Sequence, residues 1–198
     1  MNLRNLVYNL IYCYYRLLNL PSIIYNCVEL GKSVHIRGKV YIKKARCKNK
    51  KTIFIGDNVN INSSLPSDPI GGDTRTILYT RYYGIIRIGN NVGISNTSIV
   101  SESSVTIGDY TNIGGGSKIY DTDFHSIDPD IRLNGDTDIK TKAVTIGSKV
   151  FIGGHCIILK GVTIGDGAVI GAGSVVSKDI PANEVWAGNP AKFIKKIK

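Results

Sequence analysis

The 198-residue sequence predicts an all-β solenoid, a chain wound into stacked coils of short parallel strands. Three observations carry this. Ile146, Ile152, Ile158, Ile164, Ile170 and Val176 are all aliphatic and six residues apart. Glycine follows four of them, at 147, 153, 165 and 171. The fourth residue after each of the first five is small or β-branched: Val150, Cys156, Val162, Ala168 and Ser174. A period of six excludes an amphipathic helix, whose apolar face recurs every 3.6 residues, but is a multiple of the strand period of 2. Each unit is then a short strand plus a corner, and glycine opens corner conformations closed to other residues. Three strands close a triangular coil of about 18 residues. Successive coils lie about 4.8 Å apart as parallel strands, and stability comes from nearest-neighbour stacking.

The same phase appears upstream at Ile88, Ile94 and Val100, slips by one residue, and resumes at Ile107, Ile113 and Ile119. Weaker turns are expected at Ile36, Ile42, Ile55 and Ile61. Two insertions break the repeat, at about 63–84 and 120–142; the second is polar, with six Asp, Pro129 and Gly135. A solenoid tolerates insertions only at its corners, and loops on rigid scaffolds are where chemistry concentrates. At the amino terminus, apolar residues at 3, 6, 7, 10, 14, 17 and 18 form a helical stripe that Pro21 is expected to end. The predicted organisation is a helical cap over 1–30, a β-helix over 31–186 and a basic tail over 187–198.

The net charge of +10 is concentrated: residues 1–56 hold eleven Lys/Arg against Glu29 alone, whereas 57–198 hold fourteen of each sign. Seven of the thirteen residues from 39 to 51 are basic. This run reads as a solvated coil edge, or as a surface for anionic lipid or a phosphate-bearing acceptor. The helix reads as a cap on the open end of the solenoid, or as a helix lying on a membrane surface. Nucleic acid is not expected, because only Tyr41 interleaves the cations as a stacking platform. No uninterrupted apolar run reaches the ~18–20 residues of a membrane span. Cysteines at 13, 27, 47 and 156 form no CxxC pair, and the amino terminus lacks the features of a secretion signal. A cytoplasmic protein with reduced thiols, with peripheral contact to the inner membrane face left open, is the expected setting.

The stretch VTIGSKVFIGGHCIILKGVTIGDGAVIGAGSVVSKDIPANEVWAGNPAK resembles the carboxy-terminal half of the hexapeptide-repeat acyltransferases. The resemblance is specific over 143–192, extends over about 50–198, and is nearest to the galactoside, maltose and polysaccharide O-acetyltransferases. It implies a left-handed coil, a hand that spacing alone would not supply, since parallel crossovers are ordinarily right-handed. It also implies a homotrimer with acetyl-CoA in a groove between adjacent solenoids. Mapped by motif, the donor contacts fall on Gly154, Ala172, Ser177, Lys178, Lys192 and Lys195. Lysine stands at the last two positions where arginine is common, so phosphate would be met by point charges rather than bidentate forks. Phe151 stands where relatives usually carry Trp. Acceptor contacts map to Ser95 or Asn96, and to Glu102; the slip after Val100 leaves the choice between the first two open.

Of the three histidines, His125 lies near the start of the second insertion, in a position similar to the family's catalytic histidine. Taking the proton from a hydroxyl as it attacks a thioester needs a base whose pKa is near neutrality, which unperturbed His alone offers. Asp123 is the first candidate to fix its ring tautomer. His155 is expected to point outward from a coil, and His35 to be structural. Zinc-dependent relatives on this solenoid need a close histidine pair, whereas His125 and His155 are 30 apart, so no metal is expected. The function implied is an O-acetyltransferase moving acetyl from acetyl-CoA to a carbohydrate hydroxyl in capsule, O-antigen or related surface polysaccharide synthesis. The alternatives are an acetyltransferase for a small acceptor (an antibiotic, serine or a nucleotide-linked amino sugar) and a non-catalytic assembly module.

Overall fold

The computed structural model describes residues 3–44 and 51–197. Arg46, Cys47, Lys48 and Lys50 of the basic run lie outside the described residues. The described residues form six three-stranded coils. They comprise β1 (Glu29–Leu30), β2 (His35–Gly38) and β3 (Tyr41–Lys43); β4 (Ile53–Ile55), β5 (Asn60–Ser63) and β6 (Ile77–Thr80); β7 (Ile85–Ile88), β8 (Gly93–Ser95) and β9 (Ser98–Ser101); β10 (Ser104–Ile107), β11 (Asn112–Ile113) and β12 (Lys118–Tyr120); β13 (Val144–Ile146), β14 (Phe151–Ile152) and β15 (Ile157–Ile158); β16 (Thr163–Ile164), β17 (Val169–Ile170) and β18 (Val175–Val176). Like strands of successive coils pair in parallel, giving face A (β1-β4-β7-β10-β13-β16), face B (β2-β5-β8-β11-β14-β17) and face C (β3-β6-β9-β12-β15-β18). The coils wind left-handed.

The inward aliphatics stack in register. Ile55, Ile88, Ile107, Ile146 and Ile164 line face A, Ile36 through Ile170 face B, and Ile42, Leu78, Ile99, Ile119, Ile158 and Val176 face C. All are buried, as are the small fourth-position residues Val150, Cys156, Val162, Ala168 and Ser174. Each fully buried aliphatic contributes about 1.5–3 kcal/mol relative to exposure. The phase slip falls one residue earlier than the sequence suggests. Ile99, not Val100, pairs with Ile119 and points inward.

Both insertions leave at corners. The first departs after β5, at the corner between faces B and C, and runs through a 3-10 turn at Pro69–Gly71. Residues 77–80 of the expected insertion are the regular strand β6. The second departs after β12, at the corner between faces C and A, and contains the one-turn helix α2 (Pro129–Leu133). Beyond the last coil, β19 (Glu184–Ala187) continues face B and pairs antiparallel with β20 (Lys192–Lys196), so the basic tail is a strand.

The amino-terminal helix α1 (Leu3–Tyr25) passes through Pro21 instead of ending there. Proline's φ is compatible with a helix, but its missing N–H and its ring crowding the preceding turn work against continuing it, and two asparagines on one face clamp the helix on either side of it. Asn19 bridges the Gly38 carbonyl (2.8 Å) and the Val40 amide (2.9 Å). Asn26 bridges the Ile42 carbonyl (3.1 Å) and the Lys44 amide (3.0 Å). The face turned to the first coil is therefore Tyr12, Tyr15, Asn19, Ile23 and Asn26, while the leucine stripe points away from it. An open coil leaves backbone donors and acceptors that leucine cannot satisfy and asparagine can.

Candidate active site

His125 is presented by the second excursion. Asp121 anchors the root of the loop: fully buried, its carboxylate accepts from the Ser101 hydroxyl (2.7 Å) and the Glu102 and Ser103 amides (2.7 and 2.9 Å). The Lys142 amide donates to the Asp121 carbonyl (2.9 Å), so the two ends of the excursion are tied together. Asp128 caps α2 by accepting from the Asp130 and Ile131 amides, with Pro129 in the first turn, where a missing N–H costs nothing. Arg132 on α2 reaches back to the Ser126 carbonyl (2.7 Å). Phe124, in the left-handed region at φ 65°, makes the turn that exposes the next side chain.

That side chain is His125, 70% exposed, and its partner is Asp136. Its Nδ1 lies 2.5 Å from Asp136 Oδ2, while the Ser126 amide donates to Asp136 Oδ1 at 2.6 Å. The Ser126 amide foremost, then the His125 ring and the Arg132 charge, holds the Asp136 carboxyl below its usual range. An ionised carboxylate on Nδ1 selects the tautomer with the proton there, leaving the Nε2 lone pair to accept one. Asp123 does not play this part. It reaches Lys160 instead (2.9 Å), and its second oxygen is buried without a hydrogen-bond partner. Asp123 is the nearer acid along the chain, but the His125 ring meets Asp136.

Glu102 lies beside this loop, buried and paired with Arg81 (2.7 Å). The Arg81 guanidinium in turn lies 5.9 Å from the Phe124 ring centre, and Tyr120 meets Phe124 edge-on at 5.2 Å. Arg81, Glu102, Tyr120 and Phe124 thus form one cluster at the corner between faces C and A, next in the chain to His125. The sequence signalled neither Arg81 nor Asp136; only the Asp128-Pro129 start and Asn134-Gly135 end of α2 hinted that the loop folds back.

The other mapped residues do not converge on that cluster within one chain. Gly154 and Ala172 sit at the corner between faces B and C in successive coils, where the Gly173 amide donates to the Gly154 carbonyl (2.9 Å). Ser177 and Lys178 sit at the C–A corner, one coil beyond Lys160, and both are exposed. Lys192 and Lys195 are exposed on β20. The two corners are six residues apart along the coil, at most about 20 Å. Asn96 is buried at the B–C corner, donating to the Asp68 carbonyl (2.7 Å) of the first excursion. Ser95 instead faces outward on face B and accepts from Asn62 (3.1 Å), in a hollow shared with Asn60, Asn112 and Phe151. His155 is exposed at a corner, and His35 stacks on Tyr12 at 4.9 Å. Among the described residues, no group of three or more His, Cys, Asp or Glu could hold a metal ion.

Residues 143–178 match the family described as bacterial transferase hexapeptide (six repeats). The chain is 37% identical over 170 residues to an Escherichia coli K12 protein named as a lipopolysaccharide biosynthesis O-acetyl transferase, WbbJ, covering 81% of this chain and 78% of the relative. It is 43% identical over 121 residues to the galactoside O-acetyltransferase of the same organism, covering 61% of this chain and 58% of the relative. The chain thus spans less than two thirds of that second relative. Among solved structures, AntD, an N-acyltransferase from Bacillus cereus in complex with dTDP and 3-hydroxybutyryl-CoA, superposes with a TM-score of 0.69 at 27% identity, covering 91% of this chain and 89% of that one.

Proposed function

Because the chain belongs to the hexapeptide-repeat acyltransferases, we propose that it transfers acetyl from acetyl-CoA to a carbohydrate hydroxyl, in the cytoplasm, during synthesis of a surface polysaccharide. One observation carries the reading: His125 is exposed with Nδ1 held by Asp136 and Nε2 free. In this mechanism Nε2 accepts the hydroxyl proton as the sugar oxygen attacks the thioester carbonyl. The tetrahedral intermediate collapses, the carbon–sulfur bond breaks, and the imidazolium returns its proton to the departing thiolate. Asp136 stabilises the imidazolium while it exists, as the partner carboxylate does in other histidine-based sites. Arg81, Glu102 and Phe124 border the acceptor side.

The donor reading includes a homotrimer. The mapped residues split between two corners, and face C between them carries the half-buried Ile157 and Val175 outward. A groove between neighbouring solenoids reunites one copy's B–C corner with the other's C–A corner, as closed cyclic symmetry permits. Lys178, Lys192 and Lys195 are cations that neither core nor corner requires, suited to the phosphates of coenzyme A.

A second reading, N-acylation of a nucleotide-linked amino sugar, is favoured by the likeness to AntD, which extends over 91% of this chain. Release of coenzyme A, assayed against free, nucleotide-linked and polymeric sugars with mass analysis of the products, tests both. O-acetylated sugar supports the first reading, and amide product on an amino sugar replaces it with the second. Absence of turnover with every acceptor, in a protein that does not bind acetyl-CoA, overturns both.

A further inference from the structure

We propose that the outward face of α1 is a membrane-binding surface, which seats the amino-terminal end of the solenoid on a bilayer carrying anionic lipid. The inner face of this helix is fully used by the asparagine bridges to the first coil. Its other face has no partner among the described residues. Leu10, Leu17 and Ile24 are 62%, 68% and 66% exposed and lie in one line, seven residues apart, flanked by Leu6, Tyr14 and Tyr25. Arg16 is the single charged residue from 6 to 25. An exposed apolar stripe of this length is a contact surface by its composition. Among the described residues no helix is long and apolar enough to cross a membrane. A helix already clamped along one side can only lie flat, with its apolar face in the headgroup boundary.

Charge selects the occupant. Lys32, Lys39 and Lys43 are exposed on the first coil. Lys44, whose amide is bound to Asn26, and Lys51, paired with Glu29 (2.9 Å), lie at the same end of the molecule. A second copy docked on the same face would bring together two segments that each hold eleven cations and one acid. That contact is repulsive, whereas an anionic headgroup layer meets the same charges with the opposite sign. Apolar and electrostatic terms then act together, as stable attachment without a spanning helix requires.

The test is flotation of the purified full chain with extruded phosphatidylcholine vesicles, with and without about one-third phosphatidylglycerol. The wild type should partition onto the anionic vesicles at least about tenfold more than onto neutral ones. The triple variant Leu10→Glu, Leu17→Glu, Ile24→Glu should lose about tenfold of that partition, about 1.4 kcal/mol, with its molar mass and its turnover on a soluble acceptor unchanged. A second variant, Lys32→Gln, Lys39→Gln, Lys43→Gln, leaves the helix intact and should weaken binding to anionic vesicles alone. Wild-type protein that ignores both vesicles overturns the proposal. So does a triple variant that keeps its vesicle partition but falls in molar mass, which would make the face an interface between protein chains.

Discussion

The excursions 64–76 and 121–142 leave the two corners that flank face C, yet they are built to opposite ends. The first lies flat on the coils. Its Ile70 and Gly71 press on Gly115 and Gly154, a Cβ at Gly71 would overlap that of Asn96, and the Asn96 amide holds the Asp68 carbonyl. Asn96 and the glycine corners thus hold it against the scaffold. The second is tied to the coils at its root, by Asp121 on Ser101, Glu102 and Ser103 and by Asp123 on Lys160, and beyond that is braced by its own residues, Asp128 at the helix start and Asp136 across the loop. It presents the His125 imidazole to solvent. A loop that serves packing surrenders its polar groups to glycine corners, while a loop that serves chemistry must be rigid without being covered.

The contrast breaks most sharply at the ring itself. His125→Ala should lower transfer by about 10²–10⁴-fold, the usual worth of a positioned general base, with no measurable change in Tm; a mutant with near wild-type turnover would remove the mechanism. Asp136→Asn comes next. Loss of the tautomer brace should lower kcat by at least about tenfold, whereas Asp123→Asn, which loses only the tie to Lys160, should have a smaller effect. Equal losses from the two would show that the carboxylates act together, contrary to the geometry.

The first excursion should answer in stability instead. Gly71→Ala forces a methyl into Asn96 and should cost about 1–3 kcal/mol, several degrees in Tm, with kcat on soluble acceptor nearly unchanged. A large fall in kcat at constant Tm would mean that this loop, too, shapes the site. The smallest effect concerns acid. Asp136 has a folded pKa below its ordinary value of 3.8, so its brace is fully present above that value and is lost as pH falls through the lower, folded one. Proteolytic cutting within 127–139 should rise below about pH 4 in the wild type and be insensitive to acid in Asp136→Asn; identical profiles would show that the loop is held by other means.

The solenoid was legible in the sequence because each inward aliphatic meets only the next coil, so the pattern from Ile146 to Val176 states the architecture directly. His125 was legible because little else titrates where the chemistry needs it. Everything that depended on what lies across space, rather than along the chain, required the tertiary structure. Asp136 is eleven residues from His125 and Asp123 two, yet the left-handed turn at Phe124 and the fold-back of α2 reverse their order of proximity. The slip was placed at Val100 and falls at Ile99, because strand register is set by the neighbouring coil. The leucine stripe of α1 announced a helix, but its direction was decided by the open edge of the first coil. Those carbonyls and amides needed hydrogen bonds, Asn19 and Asn26 supplied them, and the apolar side was left facing out.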